Sequence, residues 1–222
     1  MPNAGYPVLL TLHGRRCVVV GGGGVAERRV TGLLTRPEPA GEVVVVSPSA
    51  TGAIRAYAAE GRVTWLARGF RDADLNGAFL VFVATDDRRL NAEIARSCTQ
   101  RGVLVNVADA PQEGSFLVPA VSSAGGIQVA VSTGGAAPGV GAELAREFAA
   151  SCNEFGEYLE ALSQFRAQVL ATVEDAAARA ELLGAACSPE LVKLLRAGRS
   201  SEAVERLREL TAELPKDRPA GA

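Results

Sequence analysis

Val18-Val19-Val20-Gly21-Gly22-Gly23-Gly24-Val25-Ala26-Glu27-Arg28-Arg29 passes from a β-branched run through four glycines into sequence of helical character. Valines favour a pleated strand, and glycines carry no Cβ, so backbone N–H groups at a helix N-terminus can approach a pyrophosphate closely. The spacing Gly21-x-Gly23-x-x-Ala26 is the dinucleotide fingerprint with its permitted alanine in the last place. Such a pattern means little without context. Here Cys17 to Val20 reads as a buried parallel strand, and Val25 to Leu34 as a helix whose small Ala26 allows close packing on it. Gly21, Gly22, Gly23, Gly24 and Val25 are therefore expected at a nucleotide pyrophosphate. The alternative is a glycine turn with a purely structural duty.

Working outward, apolar runs and helical stretches alternate as β-α-β-α, which predicts a doubly wound parallel sheet covered on both faces. Val43 to Val46 is the second strand, followed by a helix over Ala50 to Ala59 with Ser49 as its expected N-cap. Val63 to Leu66 and Ala78 to Ala84 are the third and fourth strands. Thr85-Asp86-Asp87 offers capping side chains to a helix reaching Gln100, and Gly102 precedes a fifth strand, Val103 to Val107. Near Pro111 the pattern changes. Phe116 to Val121 and Ile127 to Val131 read as a β-hairpin, with Ser122 to Gly126 as its turn. Beyond Pro138 the period is helical: Phe155, Tyr158, Leu159, Leu162, Phe165 and Val169 share a face, as do Leu191, Leu194 and Leu195, and Ser188-Pro189-Glu190 starts a helix well. Pro215 to Ala222 is expected to fray. The expected division is 1–112 for nucleotide binding, 113–150 for a hairpin and helix, and 151–222 for a helical domain.

At 222 residues the chain can bury a proper core without disulfides. Cys17, Cys98, Cys152 and Cys187 form no C-x-x-C pair, so a zinc site or redox dithiol is not suggested, and mostly buried, reduced thiols are expected. The lone His13 reads as a surface or packing residue, and no metal site is expected. A formal net charge of −2 carries no electrostatic footprint for nucleic acid. No run approaches the ~18 apolar residues of a membrane span, and Met1 to Leu10 has no basic residue. A cytoplasmic protein is the expectation. Basic charge comes from 21 arginines and two lysines, which suits carboxylate recognition but equally reflects a GC-rich coding sequence.

About 20 residues past the glycines, a dinucleotide fold normally places an acid on the adenosine ribose. This chain has Ser47-Pro48-Ser49 there. A hydroxyl can bond the ribose while repelling a 2′-phosphate less than a carboxylate would. NAD is preferred over NADP because no arginine follows the strand directly.

With the glycine loop, Ala84-Thr85-Asp86-Asp87, Asn106-Val107-Ala108-Asp109-Ala110-Pro111 and Val131-Ser132-Thr133-Gly134-Gly135 in this order, residues 5 to 150 resemble the precorrin-2 dehydrogenase family. That family comprises the N-terminal module of siroheme synthase and its stand-alone relatives. The resemblance implies NAD-dependent oxidation of precorrin-2 to sirohydrochlorin by a homodimer that exchanges hairpin arms, with apolar alternation at Phe116, Val118 and Ala120 compatible with exchange. It leaves open an additional insertion of Fe²⁺ or Co²⁺. It places Thr85 near the nicotinamide, adds Asn106 to the cofactor contacts and matches Asp109 to the family's catalytic aspartate. Chemistry supports Asp109 independently, because removing a hydride from a tetrapyrrole also requires removing a proton. The competing duty is capping of the turn before Pro111. Ser132, Thr133, Gly134 and Gly135, leading into a helix, are expected as a second anion site for the many carboxylates of precorrin-2, the alternative being an ordinary turn at a helix N-terminus. Two departures stand out. Ala137 replaces the family's usual serine before Pro138, and Ser123-Ala124-Gly125 replaces a turn that often carries arginine. A reading of another class is a non-catalytic NAD-sensing module.

Overall fold

The computed structural model describes residues 5–35, 39–212 and 214, which form two compact units, Met1–Val118 and Pro119–Ala222. In the first, five strands form one parallel sheet: β1 (Arg16–Val20), β2 (Glu42–Val46), β3 (Thr64–Leu66), β4 (Ala78–Val83) and β5 (Leu104–Val107), in the order β3-β2-β1-β4-β5. Helices α1 (Gly24–Leu34) and α2 (Gly52–Ala59) pack on one face, and α3 (Arg88–Gln100) packs on the other. The period of two explains why. Val18, Val20, Val81, Val83, Val105 and Val107 join the layer under α3, while Cys17, Val19, Val43, Val45, Leu80 and Phe82 join the layer under α1 and α2. Each such buried valine contributes about 1.5–3 kcal/mol relative to exposure. α1 answers with Ala26, Val30 and Leu33 on its buried stripe.

The sheet order reverses between β1 and β4, which opens the ligand crevice of such folds at the carboxyl ends of these two strands. Two expectations for this unit need correction. The N-cap of α2 is Thr51, whose hydroxyl accepts from the Ile54 N–H at 3.4 Å, so Ser49 lies outside the helix. Phe116 is not on a free strand: its ring meets Phe82 edge-on at 5.7 Å, and with Val118 it packs against the core under α1.

In the second unit, β6 (Ala120–Ala124) and β7 (Ile127–Val131) pair as an antiparallel hairpin. The first strand thus begins four residues later than expected, and Ser122 to Ala124 belong to it. The turn is only Gly125–Gly126, with φ of +53° and +75°. A two-residue turn of this hand needs positive φ at both central positions, and two glycines supply it. A Cβ on Gly125 would lie 2.3 Å from the Cys152 carbonyl oxygen. Helix α4 (Pro138–Ala150) lies on the hairpin through the small residues Gly141, Ala145 and Ala149. Then α5 (Gly156–Thr172), α6 (Ala176–Ala185), α7 (Pro189–Arg196) and α8 (Ser200–Ala212) enclose Tyr158, Phe165, Val169, Leu195 and Leu207. The expected Ser188 cap is present, its hydroxyl accepting from the Leu191 N–H. Pro215 to Ala222 lies outside the described residues. No described helix is long and apolar enough to cross a membrane.

Candidate active site

The four glycines of the loop between β1 and α1 divide into two pairs. A Cβ on Gly21, whose φ is +122°, would lie 2.2 Å from the Ala84 carbonyl oxygen, and one on Gly22 would lie 1.9 Å from that of Ser49. Their backbones are tied in as well: the Gly21 N–H donates to Val46 O at 3.0 Å, and the Thr51 N–H donates to Gly22 O at 3.0 Å. These two residues let the loop thread between the ends of β2 and β4. Gly23 and Gly24 are exposed, and a Cβ on either would meet nothing within 4 Å. Gly23 is the N-cap of α1 and supplies no side-chain acceptor to the first helical turn. Donors left over at the positive end of a helix dipole, with open space before them, fit a pyrophosphate.

At the end of β2, the three expected ribose residues separate. Ser47 is buried: its N–H donates to Leu66 O, its carbonyl accepts from the Trp65 indole N–H at 3.0 Å, and its hydroxyl lies beside Gly22. Pro48 and Ser49 are exposed. Of the two hydroxyls, Ser49 is the one open to a ligand.

Beyond β4 the chain builds a polar cluster: Asn91, completely buried on α3, sits between Thr85 and Asp109.

 Its Nδ2 donates to Thr85 O at 3.0 Å and to Asp109 Oδ1 at 3.2 Å, and its Oδ1 accepts from the Thr85 hydroxyl. Asp87 caps α3, its Oδ1 accepting from the N–H groups of Arg89 and Leu90, and this fixes where Asn91 enters the core. Asp109 is about two-fifths exposed, and its Oδ2 lies 3.8 Å from Arg88 Nε. Arg88 also pairs with Glu113, and these two carboxylates hold its guanidinium above the ordinary arginine pKa. Thr85 and Asp109 are thus brought together at the carboxyl edge of the sheet, by residues that the sequence reading did not single out. One signal was available: Asn91, Ile94, Ala95 and Cys98 have helical core spacing, so a polar side chain stood at a core position.

Asn106 goes elsewhere. It alternates with Val105 and Val107, so it faces the other layer of the sheet, where its buried amide donates to Phe116 O at 3.1 Å. Its donor holds the chain after β5.

Ser132, Thr133, Gly134 and Gly135 form the loop between β7 and α4 in the second unit. The Ser132 hydroxyl accepts from the Gly134 N–H at 3.3 Å, and the Thr133 hydroxyl accepts from the Ala137 N–H at 3.1 Å. Gly134 and Gly135 have positive φ. His13 is exposed, and no group of three His, Cys, Asp or Glu among the described residues could hold a metal ion. Of the cysteines, Cys17 and Cys98 are buried, and burial pushes both thiols up to about 11; Cys152 is half-buried and Cys187 exposed, so the expectation of mostly buried thiols holds for the first unit alone.

A family model described as "Putative NAD(P)-binding" matches residues 8–120, a span that includes the glycine loop, Thr85, Asn91 and Asp109. Siroheme synthase of Thioalkalivibrio sulfidiphilus is 37% identical over 204 residues, covering 91% of this chain and 41% of that protein. Siroheme synthase of Methylobacillus flagellatus is 44% identical over 133 residues, covering 60% of this chain and 28% of that protein. Among solved structures, "SirC, precorrin-2 dehydrogenase" superposes with a TM-score of 0.71 at 27% identity, covering 92% of this chain and 99% of that one. The chain belongs to the siroheme synthase and precorrin-2 dehydrogenase N-terminal family. It carries that family's NAD-binding Rossmann domain, together with the hairpin and helical region of the SirC-type fold. It spans less than half the length of the siroheme synthases it matches.

Proposed function

We propose that this protein is an NAD-dependent precorrin-2 dehydrogenase that forms sirohydrochlorin and works as a homodimer. The observation that carries the reading is the Thr85–Asn91–Asp109 cluster beside the switch point at which the glycine loop opens. The N-terminus of α1, from Gly23 to Val25, would hold the pyrophosphate, and the exposed Ser49 would meet the ribose. NAD, when bound, supplies the acceptor for the hydride that leaves the tetrapyrrole. The remaining proton goes to Asp109, whose carboxylate is open to a substrate on one side and pinned by Asn91 and Arg88 on the other. Separately, Ser132, Thr133, Gly134 and Gly135 of the second unit would offer an anion site to substrate carboxylates.

An anaerobic assay with freshly generated precorrin-2 and NAD⁺ tests this. Sirohydrochlorin should appear only when both are present, and Asp109→Ala should lower kcat on the order of 10²–10⁴-fold with NAD affinity within about twofold. Bound NAD without turnover would point to the sensing module instead. Addition of Fe²⁺ or Co²⁺ after the first change asks whether the same protein inserts a metal.

A further inference from the structure

Asn91 is the least expected residue of the cluster. It stands at a core position of α3, where burying a carboxamide is unfavourable unless its hydrogen bonds are made. Two bonds to Thr85 would suffice to hold the turn from β4 into α3. The third reaches Asp109, 18 residues along the chain on a different loop. Nδ2 can only donate, so it meets Asp109 Oδ1 as an acceptor and fixes the carboxylate's rotamer.

We infer that Asn91 is a positioning residue that holds the Asp109 carboxylate aligned as a proton acceptor and couples it to Thr85. This inference rests on the proposed dehydrogenase reading. The charged groups facing the carboxylate among the described residues are Arg88, from the first turn of α3, which contacts Asp109 directly, and Glu113, from the turn after β5, which pairs with Arg88.

Asn91→Asp is the informative variant, because it keeps the shape and can still accept from the Thr85 hydroxyl but, when ionised, no longer donates to Asp109 or to the Thr85 carbonyl. Its kcat at pH 8 should fall on the order of 10–100-fold, with NAD affinity and KM for precorrin-2 within about twofold. Part of the loss should return at lower pH, where one proton shared by the two carboxyls restores a donor. A merely structural role, made through the turn at Thr85, would move thermal stability and NAD affinity together with kcat across the same pH range, whereas the positioning role moves kcat alone. Turnover by Asn91→Asp within twofold of wild type at every pH would overturn the inference, and so would a loss that is the same at every pH. An inactive wild-type protein would instead defeat the dehydrogenase reading, and this role with it. Should the variant not fold, the wild-type protein carries the test. The side-chain amide resonance of Asn91 should shift across the acid limb of the kcat/KM profile, and a resonance unmoved through that limb would overturn the inference.

Discussion

Two glycine loops lead into helices in this protein; neither helix carries a side-chain cap, and the loops differ in how far their own side chains take up their backbone donors. Between β1 and α1, the N-cap is Gly23, no side chain caps the helix, and the space beside Gly23 and Gly24 is open. Between β7 and α4, Ser132 and Thr133 take up the N–H groups of Gly134 and Ala137, and Pro138 brings no N–H at all. Glycine content therefore does not make an anion cradle. What counts is how many donors remain after the loop has satisfied itself, and Ser132 and Thr133 take up two in the second loop while no side chain takes up any at Gly23.

The largest expected effect tests the threading pair of the first loop. A Cβ at position 22 would fall on a backbone oxygen, which cannot rotate away, so Gly22→Ala should destabilise the fold by about 3 kcal/mol or more in denaturant titration. A loss below about 1 kcal/mol would show that the loop has more freedom than its packing implies. Gly23→Asp sharpens the contrast further, because its effects have opposite signs. Aspartate is a good N-cap in open space, so the ligand-free protein should be as stable as wild type or slightly more so. NAD dissociation should nevertheless rise about 100-fold, roughly 2.8 kcal/mol, from a negative charge where the pyrophosphate belongs. Calorimetry showing unchanged NAD affinity would remove the first loop from the nucleotide site.

The reading of the first loop was available in the sequence because strand, glycines and helix are contiguous and each has its own composition. Contacts between distant segments were less legible. Ser122 to Ala124 look like turn residues, yet the hairpin needs only the two positive-φ glycines that follow. Phe116 and Val118 alternate like a strand but pack on the core beneath α1, a choice made by the available surface at Phe82 rather than by local pattern. Asp109 could be singled out by its chemistry. Asn91 acquires its meaning only when α3 docks against β5 and brings the two within hydrogen-bond reach.

The second loop should respond to substitution in stability and not in NAD affinity. Gly135 has a φ of +89°, which a side chain adopts only under strain even though the space is open, so Gly135→Ala should cost about 1–2 kcal/mol. NAD titration of this variant should match wild type.

Thr133→Val isolates the smallest effect and the most specific one. Valine keeps a methyl in the position of Cγ2, which a Cβ on Gly141 would approach to 3.5 Å, so packing of α4 on the hairpin is retained. Only the hydroxyl is lost, and with it the acceptor for the Ala137 N–H. About 1 kcal/mol of stability should go, as for the loss of a helix cap, while Thr133→Ser should restore it. If the hydroxyl proton also meets a substrate carboxylate, KM for precorrin-2 should rise several-fold in the valine variant, with kcat and NAD affinity unchanged. A stability loss without any change in KM would leave the second loop a structural turn, with Gly23 as the anion site of the pair.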